Sequence, residues 1–497
     1  MAKKKNIEFS NPILRSILSN QIQNAVGFLG GELSESRRKS LEYYLGDRLG
    51  TEIDGRSQVV STDVADTIES MLPGLLKVFT ASDKVVSCEP VTGEDVGIAE
   101  QATAYLNHVF YKDNPGFKLL YNFFKDALIE KNGFLKVYFD ETETVEHETY
   151  KNLTIAEKDA LLDTKDDIEL VEEEIIEDEV AAEQIEFGKA EAEARGLDIS
   201  QVVFPDPVLY NCKIKRISKT GKVKIESIPP EEFLINRSAK TIDDADFVSH
   251  KVLMTRSDIV QMGFPQEEVD LLPRTENDIF NQDQIIRNQN ISNFQTNIAT
   301  DSSTEKVLVY ESYIKYDYDE DGIAELRKVI SAGDDGFKVL SNEPCDGIPF
   351  VSVTPIPMPH RFYGRSISEL VEDIQLMKST VMRQLLDNMY LTNNNRVAIM
   401  DGMVNMDDLL TTRPGGVVRT KQPPNQVMQP LQAQPISQQA FPLLSYLDSV
   451  REVRSGVSKQ AQGLDPNTLN AKTATGVNAL MTQTQMRSEL VARVFAE

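Results

Sequence analysis

The sequence predicts an α+β fold, mainly helical, and three observations carry that expectation. One stretch near the C-terminal third keeps a 3.6-residue apolar period over seven turns. The N-terminal 130 residues repeat that period in shorter segments. From Val202 to Ser331, by contrast, short apolar and polar runs alternate around turn residues, so the strands are grouped together and not interleaved with helices.

The longest periodic stretch starts near Ser366. Ile367, Leu370, Val371, Ile374, Met377, Val381, Met382, Leu385, Leu386 and Met389 recur at steps of three and four, while Glu369, Glu372, Asp373, Lys378, Arg383 and Asp387 fall on the other face. Ser366 with Glu369 three residues on forms a capping box, and Asn393 to Asn395 supplies a stop. A helix from Ser366 to Leu391 would be about 39 Å long. After it, Arg396 to Asp401 reads as a short strand ending in a turn at Gly402. Pro414-Gly415-Gly416 precedes a second predicted strand, Val417 to Arg419, and Pro423-Pro424 closes the excursion. A second helix is predicted from Ser437 to Val457, then a polar loop from Gln460 to Lys472, then a helix from Ala474 onward.

In the N-terminal half, Pro12 to Leu49 and Ser61 to Thr80 read as helix, with Thr62 or Asp63 as a cap. Val85 to Pro90 reads as a strand, Glu94 to Asp113 and Pro115 to Lys131 as helices, and Gly133 to Asp140 as a strand. Residues 141–190 hold 18 acidic and 4 basic residues, and their helical propensity predicts a projecting helical hairpin over about 141–200. Tyr210 to Ser218 and Lys222 to Ile228 flank Lys219-Thr220-Gly221, a hairpin signal. Further strands are expected at Pro229 to Ile235, Val248 to Met254, Val307 to Tyr316 and Leu326 to Ser331, with a short helix over Thr255 to Met262 capped by Thr255 or Ser257 and a long polar loop over 270–305.

Composition excludes several function classes. The chain has 497 residues and a net charge of −26, a balance unsuited to gripping DNA by neutralising phosphates and suited to letting it slide. Cys88, Cys212 and Cys345 are few and widely spaced, which excludes a disulfide framework and a zinc cluster and points to synthesis in a reducing cytoplasm. No apolar window reaches membrane-spanning length and no signal peptide opens the chain. P-loop, His-Glu-x-x-His and nucleophile-elbow patterns are absent, so no catalytic constellation and no cofactor are expected. Asp317, Asp319 and Asp321 offer a weak metal candidate. The twelfth position of a calcium loop would be Lys328, not Glu, and the flanks read as strands, so an acidic hairpin turn is the expected role.

The order helix, small β module, helix, exposed loop, helix, with Tyr363-Gly364-Arg365-Ser366 leading in and Thr473 to Met481 following the loop, resembles the portal proteins of tailed bacteriophages of the short-tailed type. The run from Arg56 to Glu69, with Met71-Leu72-Pro73 and Val78-Phe79-Thr80, carries the same likeness. The resemblance implies a portal fold with a β-containing wing at 1–360, stem helices at 361–392 and 436–458, a clip at 393–435, a tunnel loop at 459–473, and the start of a wing or crown helix at 474–497. It also implies a dodecameric ring at one vertex of the virion capsid, through which double-stranded DNA is packaged and ejected.

On that likeness, Glu369, Glu372, Asp373, Lys378, Arg383, Asp387, Arg451 and Arg454 are channel-lining candidates. Gln460, Gln462, Asp465, Asn467, Asn470 and Lys472 would form the tunnel loop. Arg396, Arg413, Arg419 and Lys421 would dock the terminase large subunit and later a tail adaptor, while major capsid and scaffolding proteins would contact the outside. Two readings from other classes stay open on the residues alone: a monomeric structural or scaffolding protein, and a metal-dependent nucleic-acid enzyme.

Overall fold

The computed structural model describes residues 12–457 and 489–496, except 29–30, 32, 49, 82–83, 94, 164–167, 178–181, 184, 188–207, 274–300, 334–335, 337, 412 and 432–433. These residues form mixed helical and antiparallel β structure in two compact units. The small unit is Val137–Lys224, and the large one is the remainder.

Five helices open the large unit: α1 (Pro12–Phe28), α2 (Ser34–Leu45), α3 (Asp63–Thr80), α4 (Val96–His108, extended by a π-turn through Asp113) and α5 (Gly116–Glu130). Residues 85–90, predicted as a strand, form no ladder, and their backbone is held instead by side chains of α4. Asn107 Oδ1 accepts from the Val85 N–H at 2.7 Å, and Thr103 Oγ1 accepts from the Cys88 N–H at 2.9 Å.

β1 (Gly133–Leu153) begins in the large unit and continues into the small one. There α6 (Ile155–Asp163), β2 (Ile168–Glu177) and β3 (Val208–Ile228) follow, in the strand order β2-β3-β1. The acidic stretch is therefore mainly strand in its described residues and not the helical hairpin its composition suggests. The reason lies across the ladder: Glu169, Glu172, Glu173 and Glu174 of β2 stand opposite the more basic β3 segment containing Lys213, Lys215 and Arg216. Glu172 pairs with Lys213 at 2.5 Å, and Glu173 with Lys158 at 2.7 Å. Cross-strand charge pairing of this kind outweighs helix propensity. Nor do Tyr210 to Ile228 form a hairpin at Gly221, because β3 runs through it. A Cβ at Gly221 would lie 2.1 Å from the Phe139 ring, so this glycine serves close packing.

Next come β4 (Phe233–Ile235), β5 (Phe247–Thr255), α7 (Arg256–Gln261), β6 (Lys306–Tyr316), β7 (Glu325–Ala332) and β8 (Lys338–Pro344). The strands form one antiparallel meander, β4-β5-β6-β7-β8. Both faces are covered. Leu14, Leu18 and Ile22 of α1 pack with Phe247, Leu308, Tyr310 and Val329 on one side, and Phe134, Phe233, Val248, Tyr313 and Phe350 fill the other. Burial on both sides leaves every residue of β5 from Phe247 to Lys251 buried, Ser249, His250 and Lys251 included. Of the two caps the sequence offers for α7, Thr255 is the one used, with Thr255 and Asp258 bonding reciprocally.

β9 (Phe350–Val353) pairs with β1 over Gly133–Lys136 and delivers the chain to α8 (Ser368–Asn393). β10 (Arg396–Ile399) pairs with β11 (Met428–Leu431), and α9 (Ser437–Ser455) follows. Val417 to Arg419, predicted as a strand, forms no ladder, and only the next residue, Thr420, makes a bridge, to Val404. The register instead seats Arg396 against Leu431.

Candidate functional site

The region built by α8, α9 and the start of α3 holds most of the charged residues singled out from sequence. The capping box at the head of α8 is present: Glu369 N–H donates to Ser366 Oγ at 3.2 Å, and Ser366 N–H donates to Glu369 Oε2 at 3.3 Å. α8 and α9 run antiparallel. Asp373 meets Arg454 at 2.7 Å, Lys378 meets Asp448 at 2.8 Å, and further along Asn388 Oδ1 accepts from the Ile436 N–H at 3.1 Å.

α8 buries only part of its apolar face: Val371, Ile374 and Leu385 are buried, while Met377, Leu386 and Met389 are exposed. Val371, Gln375, Ser379 and Arg383, four residues apart each time, form a buried stripe. Gln375 Oε1 accepts from Val64 N–H at 2.8 Å, and its Nε2 donates to Tyr43 O at 2.9 Å. Ser379 Oγ accepts from Ser61 N–H at 3.0 Å. The Arg383 guanidinium reaches Glu52 at 2.6 Å, Thr51 Oγ1 at 2.9 Å and Val59 O at 2.8 Å, so it fastens the segment 51–61 along the helix. Asp387 continues the stripe by accepting from Ser57 N–H at 2.8 Å. Polar side chains at these positions satisfy the backbone of a segment without regular structure, which apolar ones could not.

Asp63, 1 % exposed, joins the three helices. Lys378 of α8 contacts it at 2.6 Å and Arg451 of α9 at 2.8 Å, and Ser61 Oγ donates to it at 2.5 Å. Sequence reasoning treated Asp63 only as a cap. Its chemistry as a shared counter-ion arises from residues more than 300 positions away, which no local pattern reveals.

The channel-lining candidates thus divide. Arg383 and Arg451 are buried inside the protomer, and Lys378, Asp387 and Glu369 are engaged there. Glu369 also pairs with Lys131 at 3.0 Å. Asp373 is exposed with Arg454, and Glu372 is half-buried. Burial, together with the nearby charges of Glu369 and Asp373, raises the Glu372 carboxyl above the usual range.

Arg396 at the start of β10, and Arg413, Arg419 and Lys421 between β10 and β11, are all exposed. Arg419 holds Asp408 through two bonds of 2.6 and 3.0 Å, which lowers the Asp408 carboxyl. The tunnel-loop candidates Gln460, Gln462, Asp465, Asn467, Asn470 and Lys472 lie outside the described residues. Asp317, Asp319 and Asp321 form the turn of the β6–β7 hairpin. Their carboxylate oxygens come within 4.8 Å of one another, and Asp317 already accepts the Asp321 and Gly322 N–H groups at 3.1 and 2.9 Å.

Large apolar side chains on the two long helices face outward. On α8 these are Met377, Leu386, Met389 and Tyr390, the last 71 % exposed, and on α9 Phe441, Leu443, Tyr446 and Val453, the last 74 % exposed. Among the described residues no helix is long and apolar enough to cross a membrane. A family model described as the phage SU10 portal protein matches residues 14–497.

Proposed function

The chain belongs to the family of the phage SU10 portal protein, and from that membership we propose that copies of it form a dodecameric ring at one capsid vertex, a channel for packaging and ejecting double-stranded DNA. The observation that carries the ring is the apolar surface on α8 and α9. Met377, Leu386, Met389, Tyr390, Phe441, Tyr446 and Val453 are exposed on helices already cross-linked to each other by Asp373–Arg454 and Lys378–Asp448. Large apolar side chains left exposed along two paired helices fit surface covered by a neighbouring copy, and closed rings repeat one interface around an axis.

The internal ion pairs narrow the lumen candidates. Glu372, half-buried, and Asp373, exposed with its charge partly offset by Arg454, are the acidic residues of α8 left to form rings of negative charge and keep DNA mobile by like-charge repulsion. Arg383 and Arg451 hold the protomer together and would meet no phosphate. The module 393–435, with Arg396, Arg413, Arg419 and Lys421 exposed, is the proposed docking surface for the terminase large subunit and then a tail adaptor. Capsid and scaffolding proteins would contact other faces. The role is structural, with no cofactor.

The test is native mass and particle symmetry by electron microscopy of the purified chain, beside Tyr390→Glu and Tyr446→Glu. Rings with a central opening wide enough for duplex DNA, lost in the two variants with the protomer still folded, are the expected result. A wild type that stays monomeric at high concentration would sink the reading.

A further inference from the structure

We propose that the open edge of β2, in the small unit, takes an added strand from a partner protein, an extended segment whose side chains alternate between cationic and apolar. β2 lies wholly within that unit, so the proposal does not rest on the ring.

β2 stands at the end of its sheet and, among the described residues, pairs with β3 alone. In an antiparallel ladder the N–H and C=O groups not turned to the neighbour point the other way, so about half of those of β2 face outward. Such a row is a template for a further strand. Every residue from Leu170 to Ile176 is exposed, and four of them are apolar: Leu170, Val171, Ile175 (62 % exposed) and Ile176. Three of these four are β-branched and favour strand. The edge therefore offers backbone groups and apolar surface together.

Charge decides which strand fits. β2 carries five glutamates and no basic residue. Glu172 and Glu173 are paired inside the unit, with Lys213 and Lys158. Residues 137–224 nevertheless hold 23 acidic and 11 basic side chains, so pairing every base still leaves the unit strongly negative. A second β2 would set glutamates opposite glutamates, which destabilises a ladder. Val171 adds to that guard. The register passes from Leu170 to Glu172, and a bulge at an edge hinders pairing between like strands. A cationic strand gains from the charges that repel a copy, with main-chain bonds supplying affinity and alternate side chains specificity.

The test uses the full chain and a fluorescein-labelled peptide, Lys-Val-Lys-Val-Lys-Val-Lys, followed by anisotropy at physiological salt, where long-range attraction is screened. The same peptide N-methylated at every residue keeps its charge but cannot donate to a ladder. The double variant Val171→Lys with Ile175→Lys changes two exposed side chains of the edge. The expected result is saturable binding, weakened at least about tenfold by N-methylation and by the double variant, at an unchanged melting temperature. No binding, or equal binding of the N-methylated peptide or of a Glu-Val analogue, would overturn the proposal. So would a double variant that binds as the wild type does. A double variant that changes the native mass without peptide would overturn it too, assigning the edge to a neighbouring copy.

Discussion

Asp63 shows how much one buried carboxylate can hold. With Lys378 from α8 and Arg451 from α9 both on it, replacing it by Asn leaves Arg451 buried without its counter-charge. Asp63→Asn is expected to cost about 3–5 kcal/mol, read as a lower melting temperature, whereas Asp373→Asn at the exposed Arg454 pair should cost under about 1 kcal/mol. Equal effects would show that the junction is not the keystone of the stem. Glu311 supplies a pH signature. Burial opposes its ionisation, but Lys136, Lys328 at 3.1 Å and the Tyr313 hydroxyl at 2.8 Å outweigh that and pull the carboxyl down to about 2. The carboxyl is depressed in the fold, so its stabilisation is present above pH 4.5 and lost as pH falls from there through 2. Over that window roughly 3 kcal/mol is at stake. Glu311→Gln should therefore flatten the acid limb of a denaturation curve measured from pH 5 to 2, and an unchanged limb would exclude this pair as its source.

At the scale of an element, α8 is both the best-read and the most misread part of the chain. Its span, its capping box and its place between two β segments were legible, because period and caps are local properties. Its buried face was legible only in part. Apolar periodicity suggested that Met377, Leu386 and Met389 face the core and the charged residues face water. Of the predicted face Val371, Ile374 and Leu385 are buried, and Gln375, Ser379 and Arg383 are buried beside them because they satisfy the backbone of 51–64. Arg383→Ala should free that segment, raising amide hydrogen exchange across residues 51–61 at least about tenfold while the centre of β6 stays protected. Exchange unchanged at 51–61 would mean that Ser379 and Asp387 hold the segment without Arg383. The short strand at 428–431 escaped detection for a related reason: Met-Gln-Pro-Leu carries little strand propensity, and its pairing with β10 is decided by register across the intervening module.

For the whole molecule the small unit, residues 137–224, is the feature to remove. It holds 23 acidic and 11 basic residues, a net charge of −12, and the chain leaves and re-enters the large unit through the neighbouring strands β1 and β3. Phe139 lies against Gly221, so the two strands are close enough to be joined by a tight turn. Replacing 140–220 with Asn-Gly should leave the large unit folded, its melting temperature shifted by no more than a few degrees. Its native mass should fall by the excised mass per copy with the number of copies unchanged. Aggregation or loss of the β4–β8 meander would show that the two units fold as one.

By itself the sequence determined the α+β class, the order of the long helices and the β module between them, the hairpin turn at Asp317, Asp319 and Asp321, and the family likeness. These rest on local periodicity, turn chemistry and segment order, which act over a few residues at a time. Only the tertiary structure decided that the acidic stretch pairs as strands, that Asp63 is shared by three helices, and that Arg383 and Arg451 are interior. Each of these depends on charges brought together from distant positions. Electrostatic complementarity and backbone satisfaction are settled by neighbours in space, and no window along the chain contains them.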